Sequence, residues 1–115
     1  MGGRFGVKRP LRYLAYKLDL DEEQTGKLAR ILDELKTERA QIAVDERRTL
    51  SAFADSIAEE SFQAERAGEG AQLRKDGANR LADTVVKSLT EIHALLNDKQ
   101  RERLAYLIRS GSLVL

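Results

Sequence analysis

His93 is the one histidine among the 115 residues and the first candidate for metal chemistry. A metal site on a helix needs further ligands three or four residues away on the same face. Those positions hold four residues that make no credible site: Leu89, Thr90, Leu96 and Asn97. The chain has no cysteine, so no thiolate can complete a site either. We therefore expect no metal ligand and no cofactor, and His93 is assigned to a helix surface or an interface.

Neighbouring carboxylates such as Glu22/Glu23, Asp45/Glu46 and Glu59/Glu60 are the second candidates for chemistry. Adjacent residues on a helix do not face each other, so these pairs do not converge on one substrate atom. The sequence also lacks a serine–histidine–aspartate set, a glycine-rich phosphate loop and a Glu-x-x-His pattern. We therefore predict no catalytic residue, and a protein that is not an enzyme.

The composition excludes several classes of protein and favours helices. Hydrophobic residues make up 42% and charged residues 34%, while aromatic residues reach only 5% and proline occurs once. Such a balance is typical of long helices and coiled coils, because sandwiches and barrels need more aromatic and turn residues. The net charge of +1 provides no global field for nucleic acid, so no nucleic-acid partner is expected.

Basic residues are concentrated at the N-terminal end. Residues 1–18 hold no acidic group and five basic ones: Arg4, Lys8, Arg9, Arg12 and Lys17. Residues 1–9 contain three glycines and are predicted to form a flexible basic arm. Pro10 then begins a short amphipathic helix, whose leucines pack on the body while its basic groups meet the acidic start of the next helix. Because Phe5, Tyr13 and Tyr16 lie among the basic groups, contact of residues 1–18 with a membrane surface stays an open alternative.

Two short motifs are predicted to begin helices. They are Leu20-Asp21-x-x-Gln24 and Leu96-Asn97-x-x-Gln100. In each motif the aspartate or asparagine can accept from the amide three residues later, while the glutamine reaches back to the cap's own amide. Each motif is therefore interpreted as a capping box at the start of a helix.

Apolar residues recur at helical spacing through the middle of the chain and predict two long helices over about 22–59 and 74–96. Gly68 and Gly70 predict a loop or frayed start within 60–71, because glycine disfavours a helix by about 1 kcal/mol relative to alanine. A last helix ends near Gly111. The predicted fold is all-α: an elongated antiparallel hairpin of two long helices with short terminal helices, which dimerises. Residues 10–111 form a single domain and 112–115 a tail.

The apolar stripe of the first long helix supplies the predicted working surface. It extends about 45 Å, against about 27 Å for the stripe from Ala78 to Leu96 on the second helix. A remainder left uncovered must meet a second subunit or another protein, because monomers rarely expose a large apolar patch. The predicted client or dimer surface consists of nine residues: Leu28, Ile31, Leu35, Ile42, Arg47, Arg48, Leu50, Phe53 and Ile57.

The two capping motifs resemble the paired LTxxQ motifs of the Spy/CpxP family, with Asp21 and Asn97 in place of the usual threonine or serine. One motif opens the first long helix and the other opens the last helix, as in that family. The segments Asp45-Glu46-Arg47-Arg48 and Ser61-Phe62 also resemble its middle region, so the resemblance extends over about residues 11–109.

The resemblance implies an ATP-independent chaperone or stress-response binding protein that acts as a homodimer on unfolded or partner protein segments. The alternative is a metal-responsive sensor or a regulatory protein-interaction module, as in the periplasmic heavy-metal sensors of the CnrX/ZraP type. The resemblance also implies the bacterial periplasm if an export signal has been removed. The sequence as written shows no such signal, so the cytoplasm is the expected compartment if the sequence is complete as written.

Overall fold

The structure, a computed structural model, describes residues 8–114 as four α-helices. They are α1 (Lys8–Lys17), α2 (Glu22–Ile57), α3 (Ala64–Leu95) and α4 (Asp98–Arg109). No strand occurs within residues 8–114. The prediction of an all-helical chain, with two long helices between two short ones, is confirmed.

The start of α3 differs from the prediction. Gly68 and Gly70 lie inside this helix, which begins at Ala64, so the predicted start of the second long helix at about residue 74 is wrong, and the loop predicted within 60–71 ends at residue 63. A Cβ built on Gly70 would come within 2.8 Å of the Phe53 ring and 3.1 Å of the Thr49 carbonyl oxygen. Glycine is therefore used here because two helices approach closely, and this packing outweighs its low helix propensity.

The lengths of the two long helices also correct the sequence-based argument for an uncovered stripe. α2 contains 36 residues and α3 contains 32, so they measure about 54 Å and 48 Å at the rise of a helix. α3 is nearly as long as α2, because it includes the glycine segment that was predicted as a loop. Helix length alone therefore leaves no large part of the α2 stripe uncovered.

The chain divides into two compact units, of which the first, the terminal unit, takes in the described parts of Met1–Lys36 and Val85–Leu115. Its interior is a cluster of leucine and isoleucine side chains from all four helices and from the residues that follow α1 and α3: Leu14, Leu18, Leu28, Ile31, Ile92, Leu96, Leu104 and Leu107. Burial of this apolar surface is the main stabilising term for the unit. Leu11 also packs on the cluster, so the prediction that the α1 leucines pack on the body is confirmed.

The end of α4 follows the predicted pattern. Ser110 is the C-cap, and Gly111 has a φ of 81°, the left-handed conformation that glycine adopts at little cost. The amide of Leu113 donates to the carbonyl oxygen of Leu107 at 3.0 Å, and Leu113 packs against the terminal unit's core. Gly111 therefore ends the last helix as predicted and turns the chain back over it.

The second unit, the hairpin unit, comprises Thr37–Thr84 and has a different interior. The buried α2 residues in it are small or polar and follow helical spacing: Asp45, Thr49, Ala52 and Ser56. Arg66 contacts Asp55 at 3.0 Å and Arg80 contacts Glu38 at 3.2 Å, so the two helical segments run antiparallel. Small side chains allow the backbones to approach, but they bury little apolar surface within the unit.

Asp45 is the one carboxylate that this interior buries among residues 8–114, with 7% of its surface exposed. It accepts hydrogen bonds from Gln41 Nε2 at 3.1 Å and from the Arg80 guanidinium, and Arg48 lies 3.7 Å away. The hydrogen bond from Gln41 lowers the pKa of Asp45 below its ordinary value, and Arg80 and Arg48 lower it further against the opposing effect of burial.

This lowered pKa makes stability depend on pH in acid. The unfolded aspartate takes up a proton near its ordinary pKa of about 3.9, before the folded one does. The contribution of Asp45 is therefore complete above that pH and is lost as the pH falls through the folded pKa. We expect an Asp45→Asn variant to be less stable than the parent at neutral pH and to approach it in acid. Urea midpoints over this pH range measure the difference, and parallel curves would contradict the assignment.

Candidate functional site

The first motif forms a capping box at the start of α2. The amide of Gln24 donates to Asp21 Oδ1 at 2.8 Å, and the amide of Asp21 donates back to Gln24 Oε1 at 3.0 Å. Glu22 and Glu23 occupy the first turn, where the helix dipole favours negative charge. Leu20 is half-buried and packs against the core of the terminal unit.

The second motif forms the same arrangement at the start of α4. The amide of Gln100 donates to Asn97 Oδ1 and the amide of Asn97 donates to Gln100 Oε1, both at 2.9 Å. Leu96, the counterpart of Leu20, is buried in the core. Both helices thus begin with the reciprocal bonds that the residue types predicted, because these bonds span only three residues of sequence.

The two glutamines also bind each other, a contact that was not predicted from the sequence. Gln24 Nε2 donates to Gln100 Oε1 at 2.8 Å, and Gln100 Nε2 lies 3.2 Å from Gln24 Oε1. Each amide also reaches the end of the helix that precedes the other motif. Gln24 Nε2 donates to the Leu95 carbonyl at 2.8 Å, while Gln100 Nε2 lies 3.2 Å from the Leu18 carbonyl and 3.3 Å from that of Asp19. We call this arrangement the glutamine lock.

The glutamine lock explains why both motifs end in glutamine. A glutamate at the same position could accept from the cap amide, but it has no hydrogen to donate to a carbonyl. Only an amide can complete the capping box and bond to the neighbouring helix end at once. Glutamine in place of glutamate at both positions was the signal in the sequence that could have revealed the lock.

The contacts of the glutamine lock indicate a structural role rather than ligand binding. Gln100 is only 8% exposed, and its amide atoms are occupied by protein groups. The lock also holds Asp19, whose φ of 52° is a left-handed conformation that costs a non-glycine residue roughly 1–2 kcal/mol. The motif residues therefore join the ends of four helices, and a surface for other molecules has to lie elsewhere.

Three of the residues predicted for a client or dimer surface are instead buried. Leu28, Ile31 and Leu35 lie inside the terminal unit, where no second molecule can reach them. Leu28 and Ile31 belong to the core cluster that includes residues of α1, α3 and α4. Their assignment to an accessible surface was wrong, because helical spacing shows that a residue faces a partner but not whether that partner belongs to the same chain.

The other six predicted residues lie in the hairpin unit. Ile42 and Phe53 are half-buried, and the Arg74 guanidinium stacks over the Phe53 ring at 5.3 Å. Arg47, Arg48, Leu50 and Ile57 are exposed, with Leu50 at 54% and Ile57 at 72%. The structure thus keeps these four accessible and leaves the other two partly covered.

One exposed face of α2 brings apolar groups together. Exposed residues at helical spacing form a line, here called the α2 outer strip: Ala43, Arg47, Leu50, Ala54 and Ile57. It is about 21 Å long at the rise of a helix. Its two alanines were not predicted from the sequence as surface residues, and neither was Phe62, a residue of the following loop that is 63% exposed.

Other kinds of site find little support in residues 8–114. That part of the chain holds no group of three histidine, cysteine, aspartate or glutamate side chains placed to share a metal ion. His93 is exposed, and its carbonyl oxygen accepts from Arg101 Nε at 3.1 Å. None of the four helices has both the length and the apolar character needed to cross a bilayer.

Comparison with known proteins places these features in a family. The family model with the description 'LTXXQ motif family protein' matches residues 7–107, which include both motifs and both long helices. The chain therefore belongs to the LTXXQ motif family, whose motif is that of the Spy/CpxP-like proteins. No curated protein and no solved structure matches the chain.

Proposed function

We propose that this member of the LTXXQ motif family is an ATP-independent chaperone or stress-response binding protein of the bacterial periplasm. It would hold client chains on a helical surface of a homodimer. The observation that carries the proposal is the α2 outer strip, where Leu50 and Ile57 stay exposed one heptad apart with Ala54 between them. A continuous apolar line of this kind is typical of a surface that contacts another chain.

The charge beside the strip suits weak binding of unfolded segments. Arg47 is exposed and forms no ion pair with a carboxylate in the described residues. Its guanidinium can attract acidic groups of a client from a distance, while its aliphatic stem extends the apolar surface. A short strip with one free cation favours loose and reversible contacts over a tight, specific complex.

The interior of the hairpin unit supports the dimeric part of the proposal. Its fully or nearly fully buried residues include Thr49, Ala52 and Ser56, whose small side chains contribute little apolar area. A second copy packed on this unit would add the burial that its own interior lacks. We therefore expect light scattering to give roughly twice the chain mass of 12.9 kDa.

An aggregation assay tests the chaperone function. At substoichiometric to equimolar amounts and without ATP, the protein should slow the aggregation of a chemically denatured test enzyme. The Leu50→Ser/Ile57→Ser variant should need about tenfold more protein for the same effect, since each lost apolar contact weakens binding. Val86→Ser is the matched control, because Val86 is 64% exposed but lies in the terminal unit.

The outcomes separate the two parts of the proposal. Circular dichroism should show that all variants keep their helices, because the substituted residues are exposed. A Leu50→Ser/Ile57→Ser variant that becomes monomeric yet still protects the enzyme would make the strip a dimer interface and not a client surface. A monomeric parent protein without any effect on aggregation would refute the chaperone proposal, and a regulatory protein-interaction module would then be the remaining alternative.

A further inference from the structure

Over the described side chains of residues 9–17, the outward side of α1 carries only cationic and aromatic groups. Leu14 and Leu18 are buried in the core of the terminal unit, so this helix is held by its apolar side. The opposite side, here called the α1 outer face, consists of Arg9, Arg12, Tyr16 and Lys17, while Tyr13 lies half-buried at its edge and packs against the core. Tyr16 is 81% exposed, although a tyrosine of a packed helix usually covers its ring.

The cations of this face have no carboxylate partner within residues 8–114. Arg9, Arg12 and Lys17 are absent from every ion pair of that part of the chain, so the prediction that they meet the acidic start of α2 is wrong. Glu23 at that start pairs instead with Lys27 on its own helix at 3.2 Å. The hairpin unit, in contrast, pairs the guanidiniums of Arg66 and Arg80 with acidic side chains.

Two further kinds of contact place cations beside aromatic rings and beside the end of α1. The Lys17 ammonium lies 5.9 Å from the centre of the Tyr13 ring and 6.0 Å from that of Tyr16. Arg103 of α4 donates from Nη1 to the Lys17 carbonyl oxygen at 3.1 Å, which brings a fourth cation to the end of α1. The face is therefore a cationic surface with the exposed ring of Tyr16 among its charges and the half-buried ring of Tyr13 at its edge.

We propose that the α1 outer face binds an anionic lipid surface, with α1 lying parallel to the bilayer. Cations near such a surface are attracted to its headgroups, and each lysine or arginine strengthens binding by about fivefold. An exposed tyrosine settles at the boundary between headgroups and acyl chains, because its ring is apolar and its hydroxyl polar. The positive charge and the exposed aromatic ring of the α1 outer face therefore both fit an anionic lipid surface.

An anionic lipid surface fits better than a nucleic acid. A bilayer contacts only the face turned towards it, so the carboxylates elsewhere on the chain oppose binding little. A nucleic acid would be drawn by a basic field that the net charge of +1 does not provide. The α1 outer face belongs to the terminal unit and the α2 outer strip to the hairpin unit, so lipid binding and client binding can fail separately.

Vesicle sedimentation tests the proposal with the full chain. The parent should bind vesicles of equal parts phosphatidylglycerol and phosphatidylcholine, release at high salt, and leave pure phosphatidylcholine unbound. Arg9→Gln/Arg12→Gln should weaken the partition coefficient by roughly 25-fold, the product of two fivefold losses. The control is Arg39→Gln/Lys75→Gln, which removes two exposed, unpaired cations of the hairpin unit and should leave binding unchanged.

A fluorescent reporter checks which face touches the lipid. The chain has no tryptophan, so Tyr16→Trp introduces a single one on the α1 outer face. Its emission should shift to the blue with phosphatidylglycerol vesicles, while a Phe62→Trp reporter in the hairpin unit should not respond. This readout does not depend on the arginine variants.

Several results would overturn the proposal. They are equal binding to both kinds of vesicle, an equal loss in the two double variants, and a Tyr16→Trp emission that does not move. Binding of a DNA duplex by the same arginines without any binding to phosphatidylglycerol vesicles would also overturn it, because the occupant would then be a nucleic acid.

Discussion

Replacing Gln100 by alanine should lower the free energy of unfolding by about 3 kcal/mol, a large effect for a single polar side chain. The substitution removes the reciprocal bond to the Asn97 amide and the amide contacts to Gln24, Leu18 and Asp19. Gln100 is only 8% exposed, so water cannot easily replace the hydrogen bonds that its partners lose. The cost is the sum of a lost capping bond and several partly buried polar groups left without partners.

Chemical denaturation of three further variants separates the cost of the lost capping bond from the cost of the lost contacts between the helix ends. Asn97→Ala removes only the cap and should cost about 1 kcal/mol. Gln100→Glu keeps an acceptor for the Asn97 amide but cannot donate to the carbonyls of Leu18 and Asp19, so it should cost more than Asn97→Ala. Gln72→Ala is the matched control, because Gln72 is exposed and bonds only to Asp76 on its own helix.

The control should lose no more than about 0.5 kcal/mol. A Gln100→Ala variant no less stable than Asn97→Ala would show that the contacts between the two glutamines add nothing to the capping box. A capping box alone would make the loss of glutamine cost less than the loss of the cap residue, because only the reciprocal bond would be removed. The glutamine lock reverses that order.

Gly70→Ala should destabilise the protein by about 2 kcal/mol, although alanine is the better helix former. The added methyl would stand 2.8 Å from Phe53 Cε1 and 3.1 Å from the Thr49 carbonyl oxygen. The ring could turn aside, but a carbonyl oxygen in the middle of α2 can only move with its helix. The overlap therefore outweighs the roughly 1 kcal/mol that alanine contributes in a helix interior.

Gly68 provides the matched control two residues away on the same helix. A Cβ at Gly68 would meet no heavy atom within 4 Å, so Gly68→Ala should stabilise the protein by up to about 1 kcal/mol. Thermal and urea unfolding of the two variants should thus shift in opposite directions. In the Gly70→Ala background, Phe53→Leu should recover part of the lost stability by removing the ring. A shift of the same sign for both glycines would refute the close approach of α2 and α3 at Gly70.

Local patterns in the sequence predicted much of the fold correctly, and the reason is the short range of the interactions concerned. A capping box joins residues three apart, so Asp21, Gln24, Asn97 and Gln100 were enough to predict where α2 and α4 begin. Gly111 ends α4 as predicted, because its left-handed conformation is a property of one residue. Apolar spacing predicted two long helices, since each turn of a helix repeats its exposed and buried sides.

The predictions failed where a distant segment decides the outcome. Gly70 was read as a helix breaker, but its partner, Phe53, lies on another helix and is not visible to a propensity argument. The predicted shortfall in helix length followed directly from that error. Leu28, Ile31 and Leu35 have the same spacing as Leu50 and Ile57, yet the first three are buried and the last two are exposed.

The residue types and their order determined an all-helical chain, the starts of α2 and α4, the final turn and the apolar and basic sides of α1. Only the tertiary structure decided that Gln24 and Gln100, 76 residues apart, share one hydrogen-bonded pair, and which apolar residues remain exposed. Capping and periodicity depend on neighbours within a turn or two, whereas burial depends on which segment of the same chain arrives to cover a face. In the terminal unit, α1 and α4 bring leucines to the start of α2. In the hairpin unit the chain leaves the α2 outer strip in solvent, where a second molecule can meet it.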